Sequence, residues 1–217
     1  MPAADQRLRV SEIFLSLQGE ANQIGWPTAF VRLTGCPLRC VYCDTSYAFQ
    51  GGTLLSIEQI VDQVRGQEVG HVCVTGGEPL AQRNCIDLLR KLCDVGLQVS
   101  LETSGAMSLA GVDDRVVKVV DLKTPASGEC ARNKYSELGA LRARDQVKFV
   151  ICDRNDYEWS RNEVLERGLD RICTVLFSPS HEQLPARDLA EWIIADRLPV
   201  RFQIQLHKYL WGNVPGR

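Results

Sequence analysis

No apolar run in the 217-residue chain is long enough to cross a bilayer, and no lipid-attachment pattern is present, so a membrane role is excluded at the outset. The formal net charge is only −2 and no basic stripe stands out, which disfavours a protein that lives on nucleic-acid phosphates. Internal repeats, low-complexity tracts and linkers are also missing, so residues 1–217 are expected to form one domain, long enough to bury a core. The sequence lacks a second C-x2-C pair and any H-x3-H pattern, and a closed four-ligand zinc site is disfavoured for that reason. No secretory leader pattern is found and the nine cysteines are an odd number, so a disulfide framework is not expected; the reading is a reducing, cytoplasmic protein.

What the chain does have is CPLRCVYCDT, from Cys36 to Thr45. Three cysteines spaced C-x3-C-x2-C in one short loop can converge on one inorganic centre, and unligated they would invite oxidation. An iron–sulfur cubane normally takes four cysteines, so three leave one iron open to a small molecule that ligates through nitrogen and oxygen. Cys73, Cys85, Cys93, Cys152 and Cys173 fall in apolar stretches and read as small buried hydrophobes.

Along the chain, the first residues are polar and expected to be loose up to Leu8. Strands are expected at LRVSEIF, TAFVRL, HVCVTG, LQVSLET, VVKVVDL, QVKFVI, RICTVLF and VRFQIQL. Helices are expected after Ser56, whose spacing to Gln59 forms a capping box, around Ile86–Cys93, Tyr135–Arg142 and Tyr157–Arg167, and over ARDLAEWIIADRL. Alternating strands and helices predict an α/β fold with a parallel sheet. Counting gives about six such strands, too few for a closed eight-fold barrel, so the expectation is a partial, open β/α barrel. Ligands in such folds sit at the C-terminal ends of strands, and there the informative segments gather: the cysteine loop, TGGEP, ETSG, DLKTP and SPSH.

The cysteine spacing, with Tyr42 before the last cysteine, resembles the signature of the radical S-adenosylmethionine (SAM) superfamily, and TGGEP resembles its glycine-rich SAM element. FLSLQGE, FVRLTGCPLRC, CDT, ETSG and the terminal LHKYLWG together resemble the 7-carboxy-7-deazaguanine synthases almost end to end. The resemblance implies a radical SAM barrel and a lyase that converts 6-carboxy-5,6,7,8-tetrahydropterin to 7-carboxy-7-deazaguanine with loss of ammonia, in queuosine and deazapurine biosynthesis. It implies Cys36, Cys40 and Cys43 as ligands of a [4Fe-4S] cluster. Tyr42, Cys43, Asp44, Gly77, Glu78, Asp121, Leu122, Lys123 and Ser178 would meet SAM, and Thr45 would bind Mg²⁺. Leu17, Gln18, Gly19, Glu20, Arg32, Thr75 and His207 would hold the pterin, with His207 at the end of the last strand. Two departures stand out: Asp121–Leu122–Lys123 replaces the family's usual Ser-Pro-Lys, and Ala21 replaces a usual glycine.

The implied partners are a small-molecule pterin, an electron donor such as flavodoxin or ferredoxin, and a second copy in a homodimer, with no nucleic acid and no membrane. A different small radical SAM enzyme, such as a glycyl-radical activase, shares the triad and TGGEP but not the two ends. A non-catalytic iron–sulfur or zinc protein is the reading from another class.

Overall fold

The computed structural model describes residues 6–214 and 216, so most of the stretch expected to be loose before Leu8 lies outside the described residues. Among the described residues nine strands form one sheet: β1 (Arg7–Leu17), β2 (Pro27–Leu33), β3 (Thr53–Ser56), β4 (His71–Gly76), β5 (Gln98–Thr103), β6 (Val117–Asp121), β7 (Gln146–Ile151), β8 (Thr174–Pro179) and β9 (Arg201–Phe202). Their spatial order is β3-β1-β2-β4-β5-β6-β7-β8-β9. From β2 through β9 every neighbouring pair is parallel, while β1 runs antiparallel to both β2 and β3. The sheet ends at β3 and at β9 without closing, the open β/α architecture expected from the strand count.

Alternation along the strands divides the sheet into two unlike faces, because successive side chains point to opposite sides. On one face Val31, Leu33, Val72, Val74, Val99 and Leu101 pack with helices α1 (Ile57–Arg65) and α2 (Cys85–Asp94). Further along, Val147, Phe149, Ile151, Val175 and Phe177 pack with α3 (Arg154–Arg167) and α4 (Ala186–Asp196). The opposite face carries Arg32, Thr75, Glu102, Asp121 and Lys148, which line a cavity. Register sets them side by side: Arg32 pairs with Thr75, Glu102 with Val119, and Asp121 with Lys148.

Several elements differ from expectation. The stretch Tyr135–Ala140 is a 3-10 helix rather than an α-helix; it buries only Leu138 and contains Gly139, so neither packing nor propensity favours a longer α-turn run. β3 was not foreseen because TLLS is short and follows two glycines; it exists by pairing with Arg7–Val10. The final strand shortens to two residues, and LHKYLW forms a helix, α5 (Leu206–Trp211), so His207 sits in a helix and not at a strand end. No described helix is long and apolar enough to cross a membrane.

The capping box at α1 is present: Gln59 N donates to Ser56 Oγ at 3.2 Å and Ser56 N donates to Gln59 Oε1 at 2.9 Å. Ser56→Ala should therefore lower stability by about 1 kcal/mol, a fall in Tm of about 2–4 °C in a chain of this size. Thermal unfolding followed by circular dichroism checks this, and an unchanged Tm would mean that the cap contributes nothing.

Candidate active site

The cavity, of about 540 Å³, opens at the C-terminal ends of the parallel strands and is lined by Cys36, Cys40 and Cys43 on one side and by Gln18, Glu20, Arg32, Glu102 and Lys148 on the other. The cysteine loop leaves β2 and is pinned from several directions. Val41 N donates to Ser127 O at 3.0 Å, and Arg39 N donates to Glu129 Oε1 at 2.5 Å. The Arg39 guanidinium donates to Cys36 O at 2.8 Å and lies 4.3 Å above the Phe49 ring. Among the described residues no three His, Cys, Asp or Glu side chains are grouped as a single metal ion requires. In a cubane each thiolate takes a different iron, so its ligands stand further apart than those of one ion, and three thiols on one cavity wall suit it. Burial pushes the Cys40 thiol up to about 11, so ligation must draw off its proton.

The TGGEP segment stacks on this loop through bare backbone. Gly77 N donates to Leu33 O at 3.0 Å and Glu78 N to Gly35 O at 2.8 Å. A Cβ on Gly77 would lie 2.3 Å from Gly35 O and 2.9 Å from Cys36 Cβ, so the glycine is required by close approach. Glu78 turns away from the cavity, and its buried carboxylate accepts from Thr103 Oγ1 (2.9 Å), Ser104 N (2.7 Å), Ser104 Oγ (2.5 Å) and Leu80 N (2.9 Å). It ties TGGEP to ETSG, leaving the backbone of Gly76 and Gly77 to face the cavity. Leu122 lies in the core and Ser178 is buried, its Oγ without a partner among the described residues; neither lines the cavity, whereas Ser180 and His181 do. Tyr42, Asp44 and Lys123 do line it.

On the other wall, Arg32 Nε donates to Glu12 Oε1 at 2.7 Å, and its guanidinium carbon is 5.8 Å from the Phe14 ring centre and 5.9 Å from that of Tyr47. Tyr47 OH donates to the same Glu12 oxygen at 2.8 Å. The fork is thus held by one nitrogen, and among the described residues its terminal nitrogens have no hydrogen-bond partner. Gln18 Nε2 and Thr75 Oγ1 both donate to Glu102, at 3.3 and 3.4 Å. Leu17 and Gly19 line the cavity beside them. A Cβ on Gly19 would lie 2.2 Å from His207 Nδ1, so α5 seats on that glycine; Leu206 N also donates to Gly19 O at 3.0 Å. Ala21, at φ 65°, does sit in the left-handed region that suits glycine, and its N donates to Gln203 Oε1 at 3.0 Å.

Four contributors were not among the residues read from sequence: Glu102, Lys148, Gln205 and Lys208. Lys148 pairs with Glu20 and with Asp121 (3.3 Å), which also pairs with Lys123 at 3.0 Å. Gln205 Nε2 donates to Glu20 Oε1 at 2.8 Å, and Lys208 pairs with Asp44 at 2.7 Å. Burial opposes the charges of Glu20, Asp44 and Lys148. Yet Lys148 and His207 hold the Glu20 carboxyl below the ordinary range, Lys208 does the same for Asp44, and Glu20, Asp121 and Glu102 raise Lys148 well above a free lysine. Burial, with the nearby Glu20 charge, raises Glu102 instead. A lone lysine in the apolar strand QVKFVI was the signal available in the sequence. Thr45 Oγ1 donates to Asp44 Oδ1 at 3.0 Å and makes no cap to the turn it precedes.

A triad of thiols beside a glycine backbone shelf, at the open end of a parallel sheet, is the site of a radical SAM protein, and residues 30–122 match the Radical SAM superfamily model. The E. coli QueE crystal structure superposes with a TM-score of 0.75 at 22% identity, covering 93% of this chain and 95% of that one, which establishes the fold. The 7-carboxy-7-deazaguanine synthase of Chlorobaculum tepidum is 45% identical, with 94% of each chain covered. That of Koribacter versatilis is 42% identical over 94% of this chain and 97% of its own. The chain belongs to the 7-carboxy-7-deazaguanine synthase family.

Gly77→Ala tests the backbone stacking. Overpacking of this kind costs about 1–3 kcal/mol, and because the clash falls on Gly35 and Cys36 it should also lower bound iron and sulfide after reconstitution. Iron and sulfide assays beside a thermal melt check it; full cluster content would mean that the shelf does not hold the loop.

Proposed function

We propose that this chain is a radical SAM lyase that converts 6-carboxy-5,6,7,8-tetrahydropterin to 7-carboxy-7-deazaguanine with loss of ammonia, feeding queuosine or another deazapurine. The observation that carries the reading is one cavity with two chemistries: three thiols on one wall, and on the other a guanidinium, a glutamine and two glutamates suited to a carboxylated pterin. Cys36, Cys40 and Cys43 would hold the [4Fe-4S] cluster, which with bound SAM would supply the one-electron chemistry of the reaction. The Gly76–Gly77 backbone, Tyr42, Asp44 and Lys123 bound the SAM side. Arg32 offers its terminal nitrogens, which have no partner among the described residues, to the substrate carboxylate, for which a planar fork is matched. Gln18, Glu20 and Thr75 face the pterin ring, and His207 on α5 shuts the cavity over Gly19.

Other parts of the reading concern partners and place. A reduced flavodoxin or ferredoxin would supply the electron. A homodimer is supported by exposed apolar side chains on β1, before β2 and on β3, where Leu15, Trp26 and Leu54 are 41%, 57% and 43% exposed. A cytoplasmic location fits free cysteines and a reduced cluster. For Mg²⁺ the ligand is the Thr45 hydroxyl, because the ion takes few protein oxygens and fills its octahedral shell from substrate and water.

Anaerobic turnover of the carboxytetrahydropterin, with mass spectrometry of the product, tests the activity; SAM cleavage without deazapurine would point to a different radical SAM reaction. Mg²⁺ should accelerate wild-type turnover, and Thr45→Ala should keep its iron and its SAM binding while losing most of that acceleration. A mutant that responds to Mg²⁺ as the wild type does would leave Thr45 as a loop residue.

A further inference from the structure

Lys148 is a cation placed where a sheet normally buries an apolar residue. It stands mid-way along β7, all six residues of which are buried, and its side chain is only 10% exposed. Its ammonium meets Glu20, from the loop after β1, and Asp121, from the end of β6. Glu20 is equally enclosed: Lys148 approaches Oε2 and Gln205 Nε2 approaches Oε1. An ionised carboxylate has about four acceptor positions, so these two contacts leave one on each oxygen, and Glu20 lines the cavity. The charged and titratable groups around Glu20 come from four elements: Lys148 from β7, His207 from α5, Glu102 from β5, and beyond Lys148 the carboxylate of Asp121 at the end of β6. Of these only Lys148 makes a direct ion pair with it.

The pyrimidine edge of a pterin presents two adjacent donors, the ring N–H and the 2-amino N–H. Two acceptors side by side match it; an acid O–H or an amide N–H opposite would not. We propose that Lys148 is a positioning residue that determines specificity: by pairing with Glu20 and Asp121 together it keeps Glu20 as an acceptor-only carboxylate, and so selects a ring edge made of two N–H donors. This rests on the pterin reading above. Asp121 completes the device by balancing the second half of the lysine charge, which gives Asp a reason to stand at this position.

The test measures substrate KM against pH for wild type, Lys148→Met, Lys148→Arg and Glu20→Gln, each reconstituted and matched for iron content. Truncating one partner of a buried charge pair costs enough to raise KM about 30-fold or more at neutral pH in Lys148→Met. The sign of its pH response is fixed. Without the lysine, burial favours the protonated Glu20; raising the pH ionises it, so KM should fall toward the wild-type value, whereas the wild-type KM stays flat. Lys148→Arg, which keeps the cation, should stay within a few-fold of wild type, and Glu20→Gln should show a raised KM with no recovery at high pH. A Lys148→Met protein with a flat, wild-type KM overturns the proposal.

Should Lys148→Met not fold, Glu20→Gln decides alone against the 2-oxo analogue, 6-carboxytetrahydrolumazine, which replaces the 2-amino donor by an acceptor. Wild type should prefer the pterin and Glu20→Gln should lose most of that preference; an unchanged preference overturns the proposal. Wild type that neither binds nor turns over the pterin overturns the proposed function itself, and with it this assignment, whereas normal wild-type turnover with a flat Lys148→Met profile overturns only the role of Lys148.

Discussion

A lysine buried in the middle of a parallel sheet must be neutralised where it stands, and the site is built around that constraint. Lys148 has two carboxylates within reach, one from each flank of the cavity, and Asp121 passes the compensation on to Lys123. Buried pairs of this kind contribute little net stability, but removing one member leaves an uncompensated charge at a cost of about 3–5 kcal/mol. Their value lies in orientation. The network fixes where the loop after β1, the end of β6 and the middle of β7 stand relative to one another, and Gln205 extends it to the segment leading into α5.

The second constraint is backbone contact. The cysteine loop and the TGGEP shelf touch at distances that leave no room for a Cβ, and the buried Glu78 carboxylate clamps the shelf to Thr103 and Ser104 by accepting from three donors there, the Thr103 hydroxyl and the Ser104 N–H and hydroxyl. α5 repeats the device at Gly19, where the imidazole of His207 occupies the space of a side chain. α5 buries none of its own residues, and polar contacts together with this packing contact hold it over the cavity. The arrangement separates two jobs: apolar packing on the helical face supplies stability, and the opposite face is free to carry charge.

Much of this was legible in the chain. QVKFVI is β7 residue for residue, because its β-branched and aromatic run is bounded by polar residues. The open barrel followed from the number of strands, and the cysteine loop from spacing alone. Other parts were not legible for identifiable reasons. β3 has no pattern of its own and forms only because β1 offers an edge. LHKYLW has no apolar stripe to mark it as a helix, and its position is set by Gly19 and Asp44, far away in sequence. A motif cannot tell which way a carboxylate points, so Glu78 was read as facing SAM although its oxygens are taken up inside the protein. Lys148 and Glu102 carry no local motif, and only strand register sets them opposite Asp121 and beside Thr75.

The central claim is that the thiol wall and the opposite wall act on one substrate in one cavity, where a cluster and SAM held by the thiol wall would supply the radical chemistry that removes a hydrogen from the pterin and returns it. Turnover of carboxytetrahydropterin deuterated at C6, followed by mass spectrometry of the recovered SAM, measures this directly. Deuterium carried from C6 into SAM is the predicted result. Product formed while the recovered SAM stays unlabelled would contradict the account, because the two walls would then not share a reaction.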